Sequence, residues 1–110
     1  MAISFKAPSN IIKFKVKGSV KDGAGVDQAF AFDLEATRIN QDEAQVIVNS
    51  GEKTVDIMAE LVTGWTGVKD GSSAIEFSSD NFRALCREYP GLSNLVFSTY
   101  FGEVGAKAKN

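Results

Sequence analysis

Ile12, Phe14 and Val16 alternate with Lys13, Lys15 and Lys17, and Val20 keeps the same parity. A period of two with one apolar and one charged face is the signature of a strand packed on one side, and it predicts a strand over about 11–20. Lys21-Asp22-Gly23-Ala24-Gly25 supplies turn chemistry, and alternation resumes with Phe30, Phe32 and Leu34 against Asp33 and Glu35. A second strand over about 28–36 follows, antiparallel to the first, with lysines facing Asp33 and Glu35 across the wet face. A lone hairpin is marginal in water, so helices must cover its phenylalanine face.

Downstream the period changes. Asn40 with Glu43 three residues later fits a capping box, whereas Val46-Ile47-Val48 is β-branched, so 41–48 reads as a helix or a short strand. From Glu52 the apolar residues Val55, Ile57, Met58, Leu61 and Val62 gather on one side at 100° per residue, predicting a helix over 52–63 that stops at Gly64. Trp65 to Phe77 reads as a turn-rich connector, with room for a small hairpin and with Trp65, Ile75 and Phe77 inward. Ser78 or Ser79 opens a helix over about 79–89, in which Phe82, Leu85, Cys86 and Tyr89 fall at i, i+3, i+4 and i+7. Pro90-Gly91 ends it, a last helix covers 92–104, and 105–110 is expected to be a flexible tail. The expected architecture is one α+β domain over 1–110, an N-terminal antiparallel β-hairpin packed on three or four C-terminal helices.

The last helix is apolar over too much of its circumference. Leu92, Leu95, Val96, Phe97, Tyr100, Phe101 and Val104 cover roughly two-thirds of the wheel, more than one core contact needs. Either the helix lies between two neighbours within the chain, or Phe97, Phe101 and Val104 present a surface to a partner. Trp65, set between glycines, is a core anchor or a contact residue near the surface.

Composition removes several function classes. The 110 residues make one domain that buries roughly 65 % of its unfolded surface. One cysteine excludes an internal disulfide, which points to the cytoplasm, and no apolar run is long enough for a bilayer span. There is no histidine, hence no His-based nucleophile activation, and no spacing suggests a metal or cofactor site. Cys86 on an apolar helix face reads as a packed thiol, and Asp56 and Glu60 as a solvated stripe, so no enzyme is expected. The net charge of -2 and the segregation of Phe14 from the lysines disfavour nucleic acid, although a small nucleic-acid binder using Lys13, Lys15 and Lys17 stays as an alternative.

Gly64-Trp65-Thr66-Gly67-Val68, Asp70-Gly71, Phe77-Ser78 opening a helix, Tyr89-Pro90-Gly91-Leu92, and a closing aromatic helix with Tyr100 before Lys109-Asn110 together resemble the phage tail assembly chaperones. The resemblance covers about Glu60 to Asn110 and is looser over Ile12 to Ile39. It implies a small non-enzymatic protein of the infected or lysogenic host's cytoplasm, absent from the mature virion. Such a protein binds the tape measure protein and helps recruit tail tube subunits, in many phages through a longer frameshifted form. Ala108-Lys109-Asn110 admits the codons GCA-AAA-AAC, a run of the slippery type. The expected contact residues, chosen from the wheel, are Trp65, Phe97, Tyr100, Phe101 and Val104, and a homo-oligomer is compatible with them. A structural minor tail or tail-completion component is the main alternative.

Overall fold

The computed structural model describes residues 2–108, so the Lys109-Asn110 end and the last part of the expected tail lie outside the described residues. Strands β1 (Ile11–Lys21) and β2 (Asp27–Thr37) form the expected antiparallel pair, with Phe14 opposite Leu34 and Val16 opposite Phe32. Ile12, Phe14, Val16, Phe32, Leu34 and Ala36 are all buried on one face. On the other face Lys13 meets Glu35 at 3.3 Å and Lys15 meets Asp33 at 3.1 Å. These pairs are half-exposed and contribute about 0–1 kcal/mol each, so their main effect is to favour this register. The connecting turn is tied by Asp22, whose Oδ1 accepts from the Ala24 and Val26 amides at 2.8 and 3.0 Å.

The hairpin is not alone: a third strand, β3 (Val62–Thr66), joins β2 antiparallel, giving the order β1-β2-β3. This corrects the helix expected over 52–63. Helix α2 spans Thr54–Leu61, and Val62 is already extended with ψ 130°. Leu61 and Val62 satisfy an apolar helix stripe, but Val62, Thr63, Trp65 and Thr66 are strand-favouring residues, and the edge of β2 offers them a ladder. Gly64 is therefore a strand residue beside Glu35 and not the helix stop. A bulge lies where Glu35 pairs Gly64 but Ala36 pairs Val62, so Thr63 is the extra residue. Val62 and Trp65, three apart, would otherwise point to opposite faces; the bulge puts both on the covered one, Trp65 beside Leu34.

Residues 41–48 are helical. Helix α1 (Gln41–Asn49) starts at a complete capping box, with the Glu43 amide donating to Asn40 Oδ1 at 2.9 Å and the Asn40 amide to Glu43 Oε1 at 3.0 Å. It buries none of its residues, and Val46 and Val48 are exposed. The connector contains the small hairpin β4 (Lys69–Asp70) and β5 (Ser73–Ala74), turned by Gly71 at φ +63°. Helix α3 (Ser79–Glu88) is capped by Ser78, whose Oγ accepts from the Asn81 amide at 3.0 Å. Tyr89, expected inside that helix, is its extended C-cap, because the residue before Pro90 avoids the helical region.

Helix α4 (Leu92–Val104) packs against both β1 and α2, and α2 also packs on α3. Four helices thus follow the first two strands, with β3 inserted between α2 and α3. Met58, Phe82, Val96 and Tyr100 are fully buried in the core, where the Tyr100 and Phe14 rings meet edge to face at 5.7 Å.

Candidate functional site

The breadth of the apolar face on α4 is accounted for largely within the chain. Leu92, Val96 and Tyr100 are buried, and Leu95 approaches Gly18 of β1. Across the helix, the Thr54 hydroxyl at the start of α2 donates to Asn94 Oδ1 at 2.8 Å. Tyr100 is removed from the expected contact surface: it has no exposed area, and its hydroxyl donates to the Thr37 carbonyl at 2.5 Å. Burial pushes its pKa up from the ordinary tyrosine value. Phe97 and Phe101 remain half-buried, rings 4.6 Å apart, and Val104 is half-buried one turn on. Those three form a low apolar ridge.

Trp65 is also half-buried, and its polar end is already used. Its Nε1–H donates to the Ile75 carbonyl at 2.7 Å, and its ring stands edge-on to Phe77 at 5.3 Å. It clamps the end of the connector onto the sheet, as the inward reading of Trp65, Ile75 and Phe77 expects.

The largest departure from the sequence-based site is an apolar cleft of ≈ 210 Å³. One wall is the far end of the hairpin, with Val20, Phe30 and Phe32; the second is the loop Gly67-Val68-Lys69; the third is Leu85, Tyr89 and Leu92 at the α3–α4 junction. Tyr89 is 40 % exposed at the rim. The loop is held in shape by Gly67 at φ +91° and by the Ile75 amide donating to the Val68 carbonyl at 3.0 Å. The junction turns on Gly91 at φ +88°. These conformations favour glycine because a Cβ is strained at positive φ.

Two of the segments that carry the family resemblance therefore meet: Gly67 and Val68 from the first, Tyr89 and Leu92 from the second. Sequence reasoning missed this cleft. Its one signal was the two glycine-containing motifs, whose glycines set the backbone of the walls.

A second hollow is lined by Val55, Arg83, Cys86, Arg87 and Ser93. Arg83 is tied to Asp56 at 2.6 Å, and burial pushes the Cys86 thiol up to about 11, against a lowering by Arg83. The thiol is protonated at neutral pH and a poor nucleophile there. Among the described residues there is no group of three or more metal-ligating acids or cysteines, and no charged side chain is buried. No described helix is long and apolar enough to cross a membrane. Of the basic stripe, Lys13 and Lys15 are engaged by carboxylates, and Phe14 lies on the opposite face.

No family model, curated protein or solved structure matches this chain.

Proposed function

We propose that this chain is a non-enzymatic phage or prophage tail assembly chaperone, working in the host cytoplasm, and that its cleft holds apolar side chains of the tape measure protein. The observation that carries this reading is the convergence of the Gly-Trp and Tyr-Pro motif segments on one apolar cleft. A long helical partner exposes an apolar stripe before assembly, and a cleft rimmed by an aromatic residue binds single anchors from such a stripe reversibly. The Phe97–Phe101 ridge adds a second, weaker apolar contact. Recruitment of tail tube subunits, directly or through a longer frameshifted form, belongs to the same reading.

Co-expression with the tape measure protein tests it. The expected result is a soluble stoichiometric complex that is lost in Val68→Asp/Tyr89→Asp, a variant whose far-ultraviolet dichroism stays that of the parent. Loss with Phe97→Asp/Phe101→Asp alone moves the contact to the ridge. An insoluble tape measure protein, with this chain folded and present in purified particles, overturns the reading in favour of a structural tail component.

A further inference from the structure

Strand β1 is an edge of the sheet, and its pairing shows which of its backbone groups are free. At one end the Arg38 amide donates to the Asn10 carbonyl at 2.8 Å, and at the other the Asp22 amide donates to the Val26 carbonyl at 3.0 Å. The register between them is unbroken, so the even-numbered residues exchange bonds with β2 and the odd-numbered ones turn N–H and C=O outward. The Ile11 amide, first of the outward set, donates to Ser9 Oγ at 3.1 Å. Among the described residues, the backbone of Lys13, Lys15, Lys17, Ser19 and Lys21 has no partner on that side.

An open edge usually carries a device against pairing, such as a bulge, a proline or short length. β3, at the opposite edge, is short and bulged, whereas β1 runs for 11 residues without bulge or proline. What β1 has instead is charge, with lysines at 13, 15, 17 and 21 and no acid. A second copy of β1 set antiparallel along it brings lysine against lysine, and β3 has no acid to offer it. The lysines therefore turn away copies of this chain and favour a strand of opposite charge. Lys13 and Lys15 already meet Glu35 and Asp33, but Lys17, opposite Ala31, has no carboxylate partner among the described residues. On the apolar face Gly18 has no side chain, and Phe30 and the half-buried Leu95 close over its place. A strand added here meets cations on one face and Leu95 on the other.

We propose that the edge of β1 from Lys13 to Lys21 receives, as a fourth strand, an extended segment of a partner protein in which acidic residues alternate with apolar ones. The segment runs antiparallel. Its main chain bonds to the odd-numbered residues, its carboxylates stand beside Lys13, Lys15 and Lys17, and its apolar side chains lie on the face of Leu95. In antiparallel pairing the residues opposite the lysines are those whose own N–H groups point at β1. The groups that bind are not those of the cleft, and the proposal does not rest on what the cleft holds.

The probe is a short blocked peptide of alternating glutamate and valine, added to the full chain and followed by titration and amide hydrogen exchange. The odd-numbered amides from Lys13 to Lys21 are expected to exchange fast in the free chain and to become protected in the complex, whereas the even-numbered ones are protected throughout. N-methylation of the peptide at its glutamates is expected to abolish binding, and at its valines to leave it. A peptide with lysine in place of glutamate is expected not to bind. Lys17→Glu, at an exposed position outside any ion pair, is expected to weaken binding roughly fivefold. Val68→Asp/Tyr89→Asp is expected to bind the peptide as the parent does, so this proposal and the cleft reading fail separately. Odd-numbered amides that stay unprotected with the peptide present, or equal binding of the two N-methylated peptides, overturn the proposal. So does a chain that protects those amides by associating with itself, or a single-stranded oligonucleotide that displaces the peptide, which assigns the lysines to nucleic acid.

Discussion

Cys86 and Tyr100 are the two groups whose environments most oppose ionisation, and burial is the leading cause at both. A group whose folded pKa exceeds its unfolded value contributes stability that is whole below the unfolded pKa and is lost as pH rises through the folded one. For Cys86 that window runs from 9.0 to about 11. For Tyr100 it begins near 10.0, in the same direction. Urea midpoints are therefore expected to be flat to pH 8 and to fall from pH 9 upward. Cys86→Ala should flatten the lower part of the fall, and Tyr100→Phe the upper part. Tyr100→Phe also leaves the Thr37 carbonyl without its donor, with an expected loss of about 1 kcal/mol at neutral pH. The roles of these residues were unequally legible: the packed thiol followed from its helix face, whereas the wheel could not tell Tyr100, fully buried, from Phe101, half-buried one residue later.

At the scale of elements, α1 and β3 make an instructive pair. The capping box was readable because it is local, two residues three apart bonding to each other, and it outweighs the β-branched Val46-Ile47-Val48. β3 was hidden because its ladder partner, β2, lies about 30 residues earlier, and nothing near Val62 announces it. The helix stripe and the strand face use the same apolar residues at that boundary. Since α1 fully buries no residue and leans on the core through the partly buried Ile47, its cap carries much of its local stability, and Asn40→Ala is expected to cost about 1 kcal/mol within α1. Hydrogen exchange should show α1 amides opening faster while core amides in β1 and β2 keep their protection.

The whole molecule is a sheet with helices on one face and ion-paired lysines on the other, and this much follows from the alternation of Ile12 to Leu34 and the helix periods after it. The cleft does not follow, because its walls come from the hairpin end, the β3–β4 loop and the α3–α4 junction, and linear patterns give facing but not convergence. One residue at the centre of this arrangement has a role that no side-chain contact expresses. Thr63 is the step the bulge absorbs: left out of the ladder, it lets Val62 and Trp65, three apart along the chain, fall on the same side of the sheet. Substituting it leaves the bulge alone, and deleting it leaves Val62 and Trp65 two apart, the spacing at which a regular strand puts both on one face; only a residue added after the bulge changes the parity. An alanine inserted between Gly64 and Trp65 would take the place opposite Leu34, and it is expected to turn Trp65 toward water, free the Ile75 carbonyl, and release the connector that carries Gly67 and Val68. Tryptophan emission should shift to the red in the insertion and stay at the parent wavelength when Thr63 is deleted. In this fold the number of paired steps between Val62 and Trp65, more than the identity of any one of them, decides whether the motif segments meet.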